Sequence, residues 1–320
     1  MFENKSVAIV VPAHNEEKLI LRVLETLPDW VDRVFVVDDR SRDNTKEKVL
    51  GHMAKDSRVK LLEHVKNKGV GGAIATGYKA CVEEGCDIAV VMAGDAQMDP
   101  NDLEALVRPV AEDKTDYAKG NRLFTGQAWE IIPRYRYIGN AALSLLTKIA
   151  SGYWHVADSQ CGYTAISREA LQKINVDKIY PRYGMPNDLL VKLNVADQRV
   201  CDVQVRPVYN IGEVSGIRVT SIIVSISWLL INRFFARMVN KYIIRDFHPM
   251  VFFYIFGLIA FPAGAISGMY LLLFRLLEGP VSVTSALFAA FLSISGLQFL
   301  LFAMWFDMES NRHLKPKVRG

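Results

Sequence analysis

A mostly parallel α/β sheet with flanking helices, followed by a membrane-embedded tail, is the architecture that the sequence predicts. Three observations predict it. Short β-branched runs alternate with helical spacing four times between residues 7 and 93, the pattern of a parallel sheet covered on both faces. Polar clusters follow three of those runs, "PAHNEE", "DDRSRDN" and "GDAQMDP", and ligands of such sheets bind beyond the carboxyl ends of the strands. Residues 250–306 are almost continuously apolar, whereas residues 1–215 mix charged and apolar segments as a globular domain does.

The elements follow in order. "VAIVVPA" (7–13) is an unbroken β-branched run ending at a proline, the mark of a buried parallel strand. Apolar residues at 19, 20, 23, 24 and 27 set a helix over 15–27. "RVFVVDD" (33–39) is the second strand, and a helix follows from residue 41, with Asp43 or Asn44 placed to cap it. "RVKLLEH" (58–64) is the third strand, the glycine-led segment 69–85 a helix, and "DIAVVMA" (87–93) the fourth strand. The later elements are less regular: a strand over 116–122, a helix over 136–151, a strand leading into a helix over 161–174, and an edge or mixed strand over 199–209.

From residue 219 the character changes. An apolar core of about a dozen residues gives way to Phe, Met and Ile alternating with Arg237, Lys241 and Arg245, which fits a helix lying in the headgroup plane. Segments 250–274 and 281–306 hold no charged residue. As helices of about 25 residues they reach roughly 37 Å, enough for a hydrocarbon core of about 30 Å. Four regions result: a catalytic domain over 1–218, an interfacial segment over 219–248, a helix hairpin over 249–307 and a basic tail over 308–320. Arg233, Arg237, Lys241 and Arg245 precede the hairpin, and Arg312, Lys315, Lys317 and Arg319 follow it. The positive-inside rule then predicts an integral membrane protein, in a bacterium of the inner membrane, with the catalytic domain and both termini cytoplasmic. Gly264 and Gly268 form a GxxxG that offers a homo-oligomer contact.

Composition excludes some partners. The 320 residues are 51% hydrophobic and carry a formal charge of +4, with no basic stripe interleaved with aromatics, so nucleic acid is not an expected ligand. Cys81, Cys86, Cys161 and Cys201 form no CxxC set and read as reduced thiols. The first apolar run is too short for a signal peptide.

Several residues invite chemistry, each beside a plainer reading. "GVGGA" is neither a Rossmann fingerprint nor a Walker loop. Its glycines offer either close helix packing or free N–H groups for a ligand. Asp38 and Asp39 either cap the next helix or accept bonds from a ribose or base, and His14 and Glu16 pose the same choice. Asp95 sits where a buried strand opens into a loop, but the position two residues earlier is Ala93.

Together these residues resemble glycosyltransferase family 2, inverting enzymes of the GT-A fold. Within it they are similar to the branch of dolichol-phosphate mannosyltransferase and the bacterial polyprenyl-phosphate glycosyltransferases. "VVPAHNEE" resembles the family's P-x-[YH]-N-E, "VVDDRSRDNT" its V-D-D-x-S-x-D-x-T, and "NKGVGGAIATGYKA" its N-x-G-x-G-x-A segment. "GDAQMDP" resembles the D-x-D-x-Q segment, and "KGNR" and "CGYTAISREAL" the later G-[SN]-R and G-[YF]-x-x-x-x-R elements. The resemblance covers nearly all of residues 6–218. It implies that Pro12, His14, Glu16, Asp38, Asp39, Gly69 and Asp95 bind the nucleotide, and that Asp95 and Gln97 hold a divalent metal, Mg²⁺ or Mn²⁺. Arg122 would act at the diphosphate or acceptor phosphate, with Arg134 and Arg136 in the loop after it. Asp188 would stand on a helix near the acceptor, its plainer reading being a helix cap.

Two departures qualify the match. Ala93 replaces the first acid of the D-x-D, leaving Asp95, Gln97, water and substrate phosphates to complete a hard-cation shell. The family's G-E-S-K-like ending becomes "GEVSGIR" (212–218), where Ser215 and Arg218 are the remaining acceptor-side candidates and Gly216 stands where a lysine would align. The implied reaction moves a sugar from a nucleotide-sugar donor to a polyprenyl phosphate at the membrane, as in cell-envelope glycan synthesis. The alternatives are a hydroxyl acceptor, which would require Asp188 as base, and a non-catalytic sugar-nucleotide-binding membrane protein.

Overall fold

The computed structural model describes residues 1–123, 134–206, 208 and 219–317. The chain divides into two units, Met1–Phe235 with His313–Gly320, and Ala236–Arg312.

The first unit is built on seven strands: β1 Val7–Ala13, β2 Arg33–Asp38, β3 Val59–Glu63, β4 Ile88–Val91, β5 Tyr117–Asn121, β6 Thr164–Ser167 and β7 Val200–Gln204. Their order is β3-β2-β1-β4-β6-β5-β7. The first four strands are parallel, β6 runs antiparallel to both of its neighbours, and β7 pairs parallel with β5 at the edge. The helices are α1 Ile20–Glu25, α2 Thr45–Met53, α3 Val70–Glu83, α4 Leu103–Ala111, α5 Arg134–Ser151, α6 Arg168–Lys173, α7 Met185–Val195 and α8 Val219–Val239. The strand expectations hold to within a few residues; α4 was not foreseen, and α7 was expected only through the resemblance that puts Asp188 on a helix.

Alternation along β1 explains why it is apolar throughout. Val7, Ile9, Val11 and Ala13 enter one layer with α1 and α4, while Ala8 and Val10 enter the other with α3 and α7. Each fully buried Val or Leu contributes about 1.5–3 kcal/mol. Beyond β4 the parallel register continues: Met92 N–H donates to Val10 O at 3.0 Å and Gly94 N–H to Pro12 O at 3.2 Å. This extension carries the turn containing Asp95 to the end of β1. A third cluster joins Leu143 and Ala150 of α5, Val191 of α7, and Ile226 and Leu230 of α8. The opposite side of α8 leaves Val224, Trp228, Ile231 and Phe235 exposed, a row at helical spacing.

The second unit is a helical hairpin, α9 Met250–Leu277 and α10 Val283–Ser310, both long and apolar enough to cross a membrane. Small residues bring the two together. A Cβ on Gly264 would stand 2.4 Å from Ser293 N, and one on Gly296 2.2 Å from Phe261 N. Of the GxxxG pair, Gly264 is covered within the hairpin, while Gly268 has nothing within 4 Å of an added Cβ.

Before α9 lies a π-helical turn, Asn240–Arg245. Arg237 and Lys241, two of the basic residues of the segment read as interfacial, are both buried within this unit. Arg237 Nη1 and Nη2 donate to Asp307 Oδ1 and Oδ2 at 2.7 and 2.9 Å. Tyr242 O–H donates to Asp307 Oδ1 at 3.1 Å, and Lys241 Nζ donates to Asn311 Oδ1 at 3.0 Å. A charge this deep in apolar surroundings persists only with a partner of this kind.

Candidate functional site

Three loops converge at the carboxyl ends of β1, β2 and β4. The turn after β1 holds Asn15 at φ 59° and the turn after β2 holds Arg40 at φ 61°. They are tied to each other: Asn15 N–H donates to Ser41 Oγ at 2.9 Å, Arg42 N–H to Asn15 Oδ1 at 2.8 Å, and Glu16 N–H to Thr45 Oγ1 at 2.8 Å. His14 Nδ1 lies 2.9 Å from Asp39 O. The pairing of Pro12 O with Gly94 N–H adds the third loop. There Ala96 has φ 57°, and Gln97 N–H donates to Asp95 Oδ1 at 3.1 Å. Pro12, His14, Glu16, Asp95 and Gln97 therefore share one rim.

Asp38 and Asp39 are both buried, and neither caps the following helix by a side-chain bond. Asp38 accepts Ser41 N–H at 3.2 Å and closes its own turn. Asp39 accepts Lys68 N–H and Gly69 N–H at 2.7 Å each, and its Oδ1 meets His64 Nδ1 at 2.7 Å. His64, which sequence reasoning passed over as the last residue of a strand, is thus the buried post of this loop, with Thr76 Oγ1 2.9 Å from its Nε2.

The glycine-led helix has a related explanation. Gly71 and Gly72 N–H groups donate to Pro181 O at 2.9 and 3.2 Å. A Cβ at Gly69, where φ is +82°, would lie 2.4 Å from the same oxygen. Of the two readings, free N–H groups and close packing, the geometry is that of packing, and Gly69 donates its N–H to Asp39 rather than to a ligand.

The rim is acidic. The Glu16 carboxyl is pushed up to about 7, first by burial and then by the neighbouring charges of Asp95 and Asp43. Excess negative charge among hard oxygen donors suits Mg²⁺ or Mn²⁺, so Asp95 and Gln97 fit such a cation with Glu16 beside them. Among the described residues no three His, Cys, Asp or Glu side chains gather as a metal cage. Substrate phosphates and water would complete the shell.

On the other side of β4, Arg122 leaves the end of β5. Asp158, fully buried, accepts Arg122 Nε at 2.8 Å, Nη2 at 3.2 Å and the backbone N–H at 3.2 Å. Burial works against the charged form of Asp158, but the guanidinium outweighs it and holds the carboxyl below its usual range. Asp158 was invisible in the sequence, being one acid in an irregular stretch, 36 residues from its partner. Beneath it, Lys119 is fully buried and donates to Cys161 O. Asp202 accepts Asn121 Nδ2 at 3.0 Å and Ala157 N–H at 2.7 Å.

Asp188 lies on the first turns of α7, fully buried and without a capping bond. Its Oδ2 accepts Tyr180 N–H at 2.8 Å and Lys192 Nζ at 2.5 Å, and Arg233 Nε stands 2.5 Å from Oδ1. Arg134 and Arg136 open α5, but their side chains lie outside the described residues, as do Ser215 and Arg218 altogether.

Comparison with known proteins bears on this geometry. Residues 8–175 match the model of glycosyl transferase family 2. The UDP-N-acetylglucosamine–dolichyl-phosphate N-acetylglucosaminyltransferase of Methanococcus voltae is 31% identical over 220 residues, 64% of this chain and 87% of that one. The undecaprenyl-phosphate mannosyltransferase of Micrococcus luteus is 29% identical over 202 residues, 62% and 81% of the two chains. Among solved structures, glucosyl-3-phosphoglycerate synthase of Mycobacterium tuberculosis, in complex with Mn²⁺ and UDP, is similar in fold. Its TM-score is 0.53 at 21% identity, covering 73% of this chain and 80% of that one.

Proposed function

This chain belongs to glycosyl transferase family 2, and from that premise we propose that it moves a sugar from a nucleotide-sugar donor onto a polyprenyl phosphate at the cytoplasmic face of a membrane. The observation that carries the choice of acceptor is the state of Asp188. A hydroxyl acceptor requires a base, and Asp188, the acid expected there, is fully buried against Lys192 and Arg233. A general base must reach the proton it removes, and the carboxylate oxygens of Asp188 are turned to Tyr180 N–H, Lys192 and Arg233 instead. A lipid phosphate is largely ionised at neutral pH, its second pKa being about 6, and needs no base. Two apolar helices of membrane-spanning length support a lipid acceptor, as do relatives named for dolichyl and undecaprenyl phosphates.

In this reading the rim of Pro12, His14 and Glu16 binds the nucleoside, with Asp38 and Asp39 shaping its floor. Asp95 and Gln97 hold Mg²⁺ or Mn²⁺, which supplies Lewis-acid neutralisation of the leaving diphosphate. Arg122, fixed in plane by Asp158, stabilises charge that develops on the phosphates. Arg134, Arg136, Ser215 and Arg218 are proposed contacts on the acceptor side.

The test uses purified protein in detergent, a polyprenyl phosphate, and a panel of nucleotide sugars with Mg²⁺, Mn²⁺ or chelator. The expected result is a glycosylated lipid in the organic phase, detected by mass spectrometry and lost with chelator or in Asp95→Ala. Intact donor with every sugar, in protein that still binds nucleotide, would refute the transfer reaction.

A further inference from the structure

Asp188 is surrounded by more positive charge than it balances. One buried carboxylate faces Lys192 and Arg233, whose side chains keep 17% and 33% of their surface. Arg233 Nε meets Oδ1 as a charge contact, without the alignment of a hydrogen bond. Among the described residues, Nη1 and Nη2 of Arg233 have no hydrogen-bond acceptor. Burial lowers the Lys192 pKa, Asp188 opposes that effect, and Arg233 and Lys178 add repulsion. Cations held together partly out of water favour a second anion beside them.

The place is joined to the catalytic rim. From Arg122 a line of polar contacts passes to Asp158, then to Gln160, whose N–H donates to Asp158 Oδ1 at 3.3 Å. Gln160 Nε2 donates to Asn187 Oδ1 at 3.0 Å, and Asn187 adjoins Asp188 on α7. Thr147 Oγ1 of α5 donates to the same Asn187 oxygen at 2.9 Å. At about 100° per residue, Arg233 stands roughly opposite the exposed row of Val224, Trp228, Ile231 and Phe235 on α8. Arg233 therefore lies on the face of α8 that packs toward α7 and Asp188, away from the apolar row.

We propose that Lys192 and Arg233 form a phosphate-binding site for the acceptor lipid, at the far end of the polar line that begins at Arg122, and that Asp188 is the positioning residue orienting both cations. The substrate in this proposal rests on the polyprenyl-phosphate reading; the anion site rests on the charge and geometry alone. Both Lys192 and Arg233 touch the phosphate, and no covalent step involves them.

The experiment compares wild type with Lys192→Gln, Arg233→Gln and Arg233→Lys in neutral detergent micelles. The glutamine variants are expected to raise the KM for polyprenyl phosphate about tenfold and leave the KM for the nucleotide sugar unchanged, with Arg233→Lys recovering most of the loss. Because removing Arg233 also removes a partner of Asp188, stabilisation against heat by a short-chain prenyl monophosphate and by inorganic phosphate is measured without donor. It should be present in wild type and absent in a folded Arg233→Gln. An unchanged acceptor KM with undiminished phosphate stabilisation would overturn the proposal. So would loss of stimulation by anionic phospholipid with the acceptor KM intact, which would make this a headgroup site. If wild type transfers sugar to no prenyl phosphate, the functional reading falls, while phosphate stabilisation abolished by Arg233→Gln would still uphold the anion site.

Discussion

Asp202 has a carboxyl pushed up to about 6 by burial, with Asp158 adding to the rise and Ala157 N–H, Lys119 and Asn121 opposing it. Its folded-state pKa thus lies above the ordinary value of 3.8. The stability it lends is complete below about pH 4 and is lost as pH rises through about 6. A shift of this size corresponds to something on the order of 3 kcal/mol. The apparent melting temperature should therefore contain a component that falls between about pH 4 and about pH 6.5, and Asp202→Asn should flatten it. An identical slope in that variant would assign the dependence to another group. The acids of the catalytic side divide in the same way. Asp39, Asp158 and Asp188 are buried with charged or backbone donors around them, whereas Asp95 and Glu16 stand at the rim. Sequence marks all but Asp158 as acids in suggestive places, and only the donors around each distinguish those that hold loops from those that can meet a ligand.

At the scale of elements, the junction between α3 and the segment before α7 is the most sensitive to size. A Cβ on Gly71 would lie 2.1 Å from Tyr180 O and 2.9 Å from Pro181 C. Gly71→Ala must displace the backbone that also donates to Asp188, and overpacking of this kind destabilises by about 1–3 kcal/mol. Gly51→Ala on α2, with nothing within 4 Å, should instead be neutral or stabilising by up to about 1 kcal/mol through helix propensity. Denaturation midpoints of the two variants check the contrast; equal midpoints would deny the close packing.

The strands β1, β2 and β4 were legible because short apolar runs rich in β-branched residues end at polar clusters. Helix α7 was not, because Met185 and Asn187–Leu190 are buried along with Val191, Leu193 and Asn194, which leaves no polar face to set a period. Helix α4 contains Pro109, a residue that argues against a helix when read alone. The basic residues at 237 and 241 looked like surface charge, since nothing local reveals partners 70 residues away.

At the scale of the whole molecule, a glycosyltransferase unit and an apolar hairpin are carried by one chain. The hairpin's integrity depends on Arg237 and Asp307 together. Asp307→Ala leaves an uncompensated buried guanidinium, a change that costs about 3–5 kcal/mol. It should lower the yield of protein extractable in mild detergent, with the exchanged pair Arg237→Asp and Asp307→Arg recovering part of it. Equal yields for the single variant and wild type would show that the pair is dispensable. The same pair also has a consequence in time. Its two members are separated by 70 residues, so a ribosome adding about 5–20 residues per second makes Arg237 roughly 4–14 seconds before Asp307. Throughout that interval the first helix of the hairpin stands with its neighbouring arginine unanswered, and the pair can close only once Asp307 has been made.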